Sequence, residues 1–524
     1  MVKEKKVMLW ILIILILALA FFLRLNQLSL ANAGHDEVRV FLMSQRMIET
    51  GDFIFNGFIN AELNETFGPL VFYIYGFGLL FSNHYLTTVM VTALFGSIAV
   101  VLCFLFVKKF FGIEVGIITT ALFSVNVWHI FFSRIAYGSP MVSPLIILFF
   151  MAAYYIYIKN RQWYWVLLFL SFGLAIQIHL SPIVYAPLIL FLFLSKIRSL
   201  KVKPFIIGII VFFLLMSPFL YYNVTNEYQG FKDLIVHSRL QEDNTFLINV
   251  RDALGIPIVI GTNYMGKYIL GNTIIFTRTV DKLFSLIGIG MGIFLIFSIA
   301  ITAYNTFIVQ FLGKMPRIRI KNKEYLLLLL WLLLPIFFLI LRDKNIQPRY
   351  LLITMPVQFI MISIGLRWVY KKFTNRKLMK KLVYGMVGVY VILMSVLWIG
   401  MLNVVDEYGG SDGTYTPPFK TKIEVVQYIL SQERNPTIVW YKERDMRYDY
   451  FFKNYEASPI MIKLESIEEV KKQNKGFMII DEKSREGILF KRTLISNEEI
   501  MFLEKLNGER IGFLKVVKLP QAVK

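Results

Sequence analysis

A multi-pass α-helical membrane protein with a small α/β domain at its C-terminal end is the fold class this sequence predicts, on three observations. Hydrophobic residues are 56% of the 524 residues and mean hydropathy is +0.60, beyond the apolar share of soluble domains. Apolar runs near bilayer-crossing length recur between Val7 and Leu402. After Leu402 the composition turns abruptly polar and charged.

The runs are Val7–Leu25, Leu86–Val107, Ile113–Ile130, Met141–Ile158, Trp163–Leu194, Pro204–Tyr222, Leu283–Leu312, Tyr325–Leu341, Tyr350–Val369 and Leu382–Leu402. Trp163–Leu194 is long enough for two crossings broken near Ser181-Pro182, which brings the expectation to about eleven spans. Lys3, Lys5 and Lys6 before the first run, with Ala31-Asn32-Ala33 after it, mimic a signal peptide. An uncleaved first span fits better, because Arg24 and Asn26 intervene before the small residues.

The net charge of +21 belongs to the membrane part: residues 1–403 carry 36 basic and 16 acidic side chains, residues 404–524 carry 20 and 19. With the N-terminus in the cytoplasm, 23 of those 36 basic residues fall in inner segments, including Lys108-Lys109, Lys196–Lys203, Lys314–Lys323 and Arg367–Lys381. That is the positive-inside pattern, and it predicts a cell-membrane protein whose C-terminal domain lies outside. No basic stripe with interleaved aromatics lies on a soluble segment, so the charge is topological and no nucleic acid is expected as partner. The lone Cys103 sits in a predicted span and cannot form an intrachain disulfide.

These signals divide the chain into a transmembrane domain at 1–403, with long outer loops at 26–85 and 223–282, a linker at 404–419 and an extracytoplasmic domain at 420–524. Loops of that length invite a functional reading. In the first, Asp36 to Thr50 reads as a short helix ended by Gly51. Its Val38, Phe41, Leu42 and Ile48 suit the bilayer surface, with Arg39 and Arg46 on the wetter side. Beyond Gly409–Gly413 and Pro417-Pro418, Lys420–Gln432, Met446–Tyr455 and Ile467–Asn474 have helical spacing, whereas Thr437–Tyr441, Pro459–Leu464 and Gly476–Asp481 are strand-like. This alternation predicts a small α/β layer, without the glycine-rich turn that a phosphate-binding layer would need.

Candidate chemistry begins with Asp36 and Glu37, a carboxylate pair just above the outer surface. A carboxylate there can act as general base toward an acceptor hydroxyl, or it can cap the helix and favour its N-terminal dipole. Arg134 and Arg349 stand at outer span ends, where a guanidinium can hold a phosphate by paired hydrogen bonds or simply snorkel to the headgroups. Tyr350 joins Arg349 or belongs to the interfacial aromatic belt. Arg239, in the second loop, is a weaker phosphate candidate. His179, before Ser181-Pro182, is a cavity candidate or a structural histidine. No His/Cys/Asp/Glu cluster has zinc spacing; a divalent cation would need ligands from distant loops, and the sequence requires no cofactor.

Arg24-Leu25-Asn26, Asp36-Glu37, Thr50-Gly51, Gly68-Pro69-Leu70-Val71-Phe72-Tyr73, Phe132-Ser133-Arg134-Ile135-Ala136 and Gln347-Pro348-Arg349-Tyr350-Leu351-Leu352 occur in this order. Together they resemble the protein O-mannosyltransferase and aminoarabinose-transferase family of C-type membrane glycosyltransferases. The resemblance implies that fold, a polyprenyl-phosphate sugar as donor, an acceptor outside the cytoplasm and a catalytic acid in the first outer loop, here Asp36 with Glu37 beside it. One departure stands out: where many members have an acidic residue after the arginine, this chain reads Tyr137-Gly138-Ser139-Pro140. Glu65 is the first-loop carboxylate that could serve instead. The expected activity is inverting sugar transfer to a protein hydroxyl, a lipid or an envelope polymer. A transporter or glycolipid flippase is the alternative, disfavoured because ionisable groups cluster at one surface and not within the spans.

Overall fold

The computed structural model describes residues 2–57, 68–229, 231–232, 250–251, 255, 278–312, 315–320, 322–341, 348–410, 415, 417–441, 447–453, 455–464, 466–473, 475–481, 508–511 and 514–519. The chain divides into two compact units. The first comprises Met1–Asn26, Val40–Met265 and Thr279–Trp398, the second Gln27–Arg39, Gly266–Arg278 and Ile399–Lys524.

The first unit is a bundle of apolar helices. Among the described residues nine helices of the chain are long and apolar enough to cross a bilayer, and Leu70–Leu79, Ile113–Ser124 and Tyr164–Ile178 are shorter apolar helices. The chain is a multi-pass membrane protein. The first helix leaves Val7, Met8, Ile11, Ile14 and Leu15 exposed and buries Ala20, Leu23 and Arg24, as expected of a peripheral span that meets lipid along one face. By contrast, 83% of the most apolar stretch of Gly138–Tyr157 is buried, placing that helix at the centre. Its Phe150 stacks on Trp331 at 4.1 Å with rings 2° apart, and Trp331 donates from Nε1 to the Ile353 carbonyl at 2.8 Å.

Two predicted runs end earlier than their apolarity suggests. Ile113–Ile130 breaks into Ile113–Ser124 and Val127–Phe132 because the Asn126 side chain accepts the His129 N–H at 2.8 Å and starts a new helix. Leu283–Leu312 remains helical only to Thr306; Phe307–Leu312 (β1) then pairs antiparallel with Met315–Ile320 (β2), each strand satisfying the other's backbone. The predicted break in Trp163–Leu194 is present: Tyr164–Ile178 ends before a 3-10 turn at Ser181–Tyr185 and the helix Ala186–Lys196.

The first-loop helix runs from His35 to Thr50, and Gly51 follows at φ 75°, a left-handed conformation that glycine adopts without strain. The expectation that its apolar face lies on the bilayer is corrected. Val38, Val40 and Phe41 are fully buried, and Phe41 packs edge-on against Tyr85 at 5.9 Å. Met47 and Ile48 lie over Gly76 of the helix Leu70–Leu79, where a Cβ would stand 2.8 Å from Met47 Cε. Protein takes the place of lipid because glycine lets the two helices approach closely.

The carbonyl end of the first span lies inside the bundle, and its acceptors are met by distant side chains. Trp398 donates to Leu23 O at 3.0 Å; Arg134 donates to Arg24 O at 3.2 Å and to Asn26 O. Arg24 is itself buried, bonded to Ala20 O at 2.9 Å, Ser124 O at 3.0 Å and His129 Nδ1 at 2.8 Å. Gly96 makes room for Ser133 and Arg24: a Cβ there would stand 2.1 Å from Ser133 Oγ.

In the second unit β3 (Thr437–Tyr441), β4 (Ile460–Leu464), β5 (Gly476–Asp481), β6 (Glu509–Ile511) and β7 (Leu514–Leu519) form one sheet in the order β4-β3-β5-β7-β6. β3 is parallel to β4 and β5, and β7 is antiparallel to β5 and β6. Val439, Leu464, Val470, Met478, Val517 and Leu519 form its core.

Replacing Trp398 by Phe keeps the ring but leaves the buried Leu23 carbonyl without its donor, so thermal unfolding in detergent should register a loss of about 1–3 kcal/mol. An unchanged melting curve would remove the indole from the account of how the first span ends.

Candidate functional site

The carboxylate pair is held by the second unit. Within it the segment Gln27–Arg39 is bonded to the start of the C-terminal domain at successive points. Tyr415 donates to Leu30 O at 2.6 Å, the Phe419 amide to Ala31 O at 3.0 Å, and Asn32 forms a β-bridge with Pro418. Lys422, 2% exposed, extends its ammonium to Ala33 O. A buried lysine needs such acceptors to remain charged.

Asp36 and Glu37, one residue apart, face different surroundings. The Asp36 side chain is 37% exposed, with His35 Nδ1 3.7 Å from its carboxylate. Glu37 is half-buried by accessible surface but densely surrounded, its carboxylate folded back over Gly34; a Cβ on Gly34 would stand 2.3 Å from Oε2. Burial raises its carboxyl above the usual range and neighbouring Asp36 adds to the rise, while its own backbone amide, Lys422 and Arg447 pull it down. Asp36 is therefore the less enclosed of the two carboxylates.

The first unit gathers a second group. Arg349 and Tyr350 lie on the 3-10 turn Pro348–Thr354, whose Ile353 carbonyl is tied to Trp331. The Arg349 guanidinium lies over the rings of Tyr350 and Tyr137, at 5.7 and 5.8 Å. His179 completes the group, 6.2 Å from Tyr350 and 6.5 Å from Tyr137 between ring centroids. Its Nδ1 lies 3.0 Å from Ser181 Oγ and accepts the Ser181 N–H at 3.1 Å. Gly138 allows this closeness, because a Cβ there would be 2.6 Å from Ile178 O. A planar cation framed by two phenol rings and an imidazole suits a phosphate group, the guanidinium giving paired N–H bonds and the phenols further donors.

Among the predicted residues, the structure brings together His179, Arg349 and Tyr350, and separately Asp36 and Glu37. Arg134 is corrected: 2% exposed and bonded to main-chain carbonyls, with Trp398 5.7 Å beneath its guanidinium, it terminates the first helix. Glu65 and Arg239 lie outside the described residues. Tyr137 and Lys422 were missed; Tyr137 stood in plain view, at the place where the chain departs from the family pattern. Among the described residues no three His, Cys, Asp or Glu side chains converge as metal ligands do.

Residues 67–222 match the family model of dolichyl-phosphate-mannose-protein mannosyltransferases. No curated protein matches the chain. Among solved structures, ArnT from Cupriavidus metallidurans in the apo state is similar at 12% identity and TM-score 0.57, covering 99% of this chain and 98% of its own. The same protein bound to undecaprenyl phosphate gives 13%, 0.53, 97% and 97%. The Archaeoglobus fulgidus oligosaccharyltransferase tethered with an acceptor peptide containing the NVT sequon gives 12%, 0.54, 100% and 75%. The chain has the fold of C-type membrane glycosyltransferases, as its motifs led us to expect.

Two measurements test these surroundings. A carboxyl whose folded pKa is raised contributes stability below its unfolded pKa and loses it as pH rises through the folded value. Glu37→Gln should therefore melt above the wild type at neutral pH, the gap closing as pH falls toward about 4.3. A pH-independent gap would contradict a raised Glu37. Gly138→Ala should lower stability by about 1–3 kcal/mol through the clash at Ile178 O, and an unaffected melting temperature would show that this approach is not tight.

Proposed function

We propose that the protein is a glycosyltransferase that moves a sugar from a polyprenyl-phosphate donor to an acceptor on the extracytoplasmic side of the cell membrane, inverting the anomeric centre. The observation that carries this reading is the fold shared along nearly the whole chain with a protein solved with undecaprenyl phosphate and with an oligosaccharyltransferase solved with an acceptor peptide. The family match over residues 67–222 agrees with it and points to a hexose such as mannose. The acceptor class is a protein hydroxyl, with a lipid or an envelope polymer as the other chemistries that a carboxylate base can serve.

In the proposed reaction the donor's isoprenoid tail lies among the spans and its phosphate at headgroup depth, where Arg349 and Tyr350 receive it. The acceptor hydroxyl attacks the anomeric carbon from the face opposite the phosphate. Asp36 takes the hydroxyl proton as the new C–O bond forms; the old C–O bond breaks toward the phosphate, whose growing charge the guanidinium stabilises. A single displacement inverts the centre. Glu37, drawn inward and more reluctant to ionise, holds the first turn of the helix in place beside the base. His179 and Tyr137 line the phosphate side, and Arg239 and Glu65 remain candidates from the long outer loops. A cytoplasmic N-terminus and an extracytoplasmic C-terminal domain complete the proposal.

The test is sugar release from a panel of labelled polyprenyl-phosphate sugars by purified protein supplied with an envelope extract. Asp36→Asn should reduce turnover by about 10²–10⁴-fold, the usual contribution of a positioned base. Arg349→Gln should lower both turnover and apparent donor affinity. Wild-type rates in Asp36→Asn would remove Asp36 as the base, and no release by the folded wild-type protein from any donor would reject the enzyme.

A further inference from the structure

The helix Met355–Lys372 leads away from the Arg349 turn, and its 18 residues carry it about 27 Å to the other end of the bundle. There the ends of Tyr85–Phe111 and Arg278–Thr306 and the starts of Ile113–Ser124 and Lys323–Leu341 surround a cavity of 420 Å³. Its polar lining is Asn305, Asn322, Glu324, Arg367 and Lys371, and Tyr325 and Trp368 are among its aromatic walls. This is the lysine-rich end that the charge rule assigns to the cytoplasm.

Several charges at this end are already matched within the protein. Glu114 accepts the Tyr370 hydroxyl at 2.5 Å and pairs with Lys380. Lys372 lies over the Trp368 ring at 5.5 Å and Lys323 over Tyr157 at 5.4 Å. The cavity's own ions differ. Arg367 donates Nη1 to Phe111 O at 2.8 Å, and among the described residues Arg367, Lys371 and Glu324 have no ion-pair partner. Arg367 and Lys371 are four residues apart on one helix face, a like-charge spacing that costs stability unless an anion sits between them. One carboxylate and two cations around one space match a ligand carrying both a phosphate and an amine. Interfacial aromatic walls at the membrane end place such a ligand at headgroup depth.

We propose that this cavity binds the headgroup of an amine-bearing phospholipid, its phosphate between Arg367 and Lys371 and its ammonium toward Glu324. The site lies at the opposite end of the helix from the Arg349 turn and does not depend on the reaction proposed above.

The experiment is native mass spectrometry of the delipidated full chain in detergent, titrated with dioleoyl phosphatidylethanolamine, dioleoyl phosphatidylglycerol, dioleoylglycerol or free phosphoethanolamine. The amine lipid should bind most tightly. Lys371→Gln, which removes no ion pair among the described residues, should weaken it roughly tenfold, the scale of one charge-assisted hydrogen bond. Arg367→Gln should do the same, and Glu324→Gln should erase the preference over phosphatidylglycerol. Lys377→Gln, an equal change of charge on the next helix, should leave binding unchanged. Equal binding of dioleoylglycerol, or binding insensitive to Lys371→Gln, would overturn the site. Binding of phosphoethanolamine as tight as that of the lipid would overturn the lipid as its source and assign the cavity to a soluble phosphate.

Discussion

The buried carbonyl end of the first membrane helix is the constraint on which the rest of the first unit depends. A helix leaves its last carbonyls without partners, and inside a bundle no water supplies them. Here the donors are an indole from Trp398 and a guanidinium from Arg134. Arg24, drawn inside by the same geometry, needs acceptors in turn and takes Ser124 O and His129. That demand is consistent with the helical run being interrupted at Asn126, since a continuous helix would use the Ser124 carbonyl itself. The short helix Val127–Phe132 and the turn after it thus pack against the end of the first span, bonded through Arg24 and Arg134.

The same stretch positions Tyr137 beside Arg349 and His179. Arg134 fixes its middle, Tyr137 emerges three residues later, and Gly138 presses the start of the central helix against Ile178 so that Tyr137 meets His179. Trp331 then joins this layer to the turn that carries Arg349, stacking on Phe150 while bonding to Ile353. The carboxylate pair depends on a different set of bonds, those from Tyr415, Phe419 and Lys422 to the main chain of residues 30–33. The C-terminal unit is therefore more than an appendage: thirteen residues that follow the first span, Gln27–Arg39, are built into it.

Within the proposed chemistry the two carboxylates play unlike parts because their surroundings differ. Asp36 keeps access to solvent, whereas Glu37 is folded over Gly34 among groups that both raise and lower its carboxyl. At the far end of the bundle two cations, Arg367 and Lys371, share the lining of one space with a single carboxylate, Glu324.

By itself the sequence determined what depends on local periodicity and transfer free energy. It showed most of the membrane spans, about eleven expected against nine span-length helices among the described residues, the break at Ser181-Pro182, the helix stop at Gly51 and the helices and strands between Lys420 and Asp481, since apolar spacing and turn residues act over a few positions. It also carried the family motifs, with Asp36, Arg349, Tyr350 and His179 among the residues worth watching. The tertiary structure alone decided which of them meet and what each one touches. Arg134 and Arg349 read alike in one dimension, as span-end guanidinium groups, yet one closes a helix 110 residues away and the other lies over the rings of Tyr137 and Tyr350. The surface helix reads as amphipathic whether lipid or protein covers it, and only Gly76 and Tyr85 reveal that protein does. Bonds such as Lys422 to Ala33 join residues 389 apart, and no local pattern encodes such a pairing, because it arises only when distant segments are packed together and their polar groups must be satisfied.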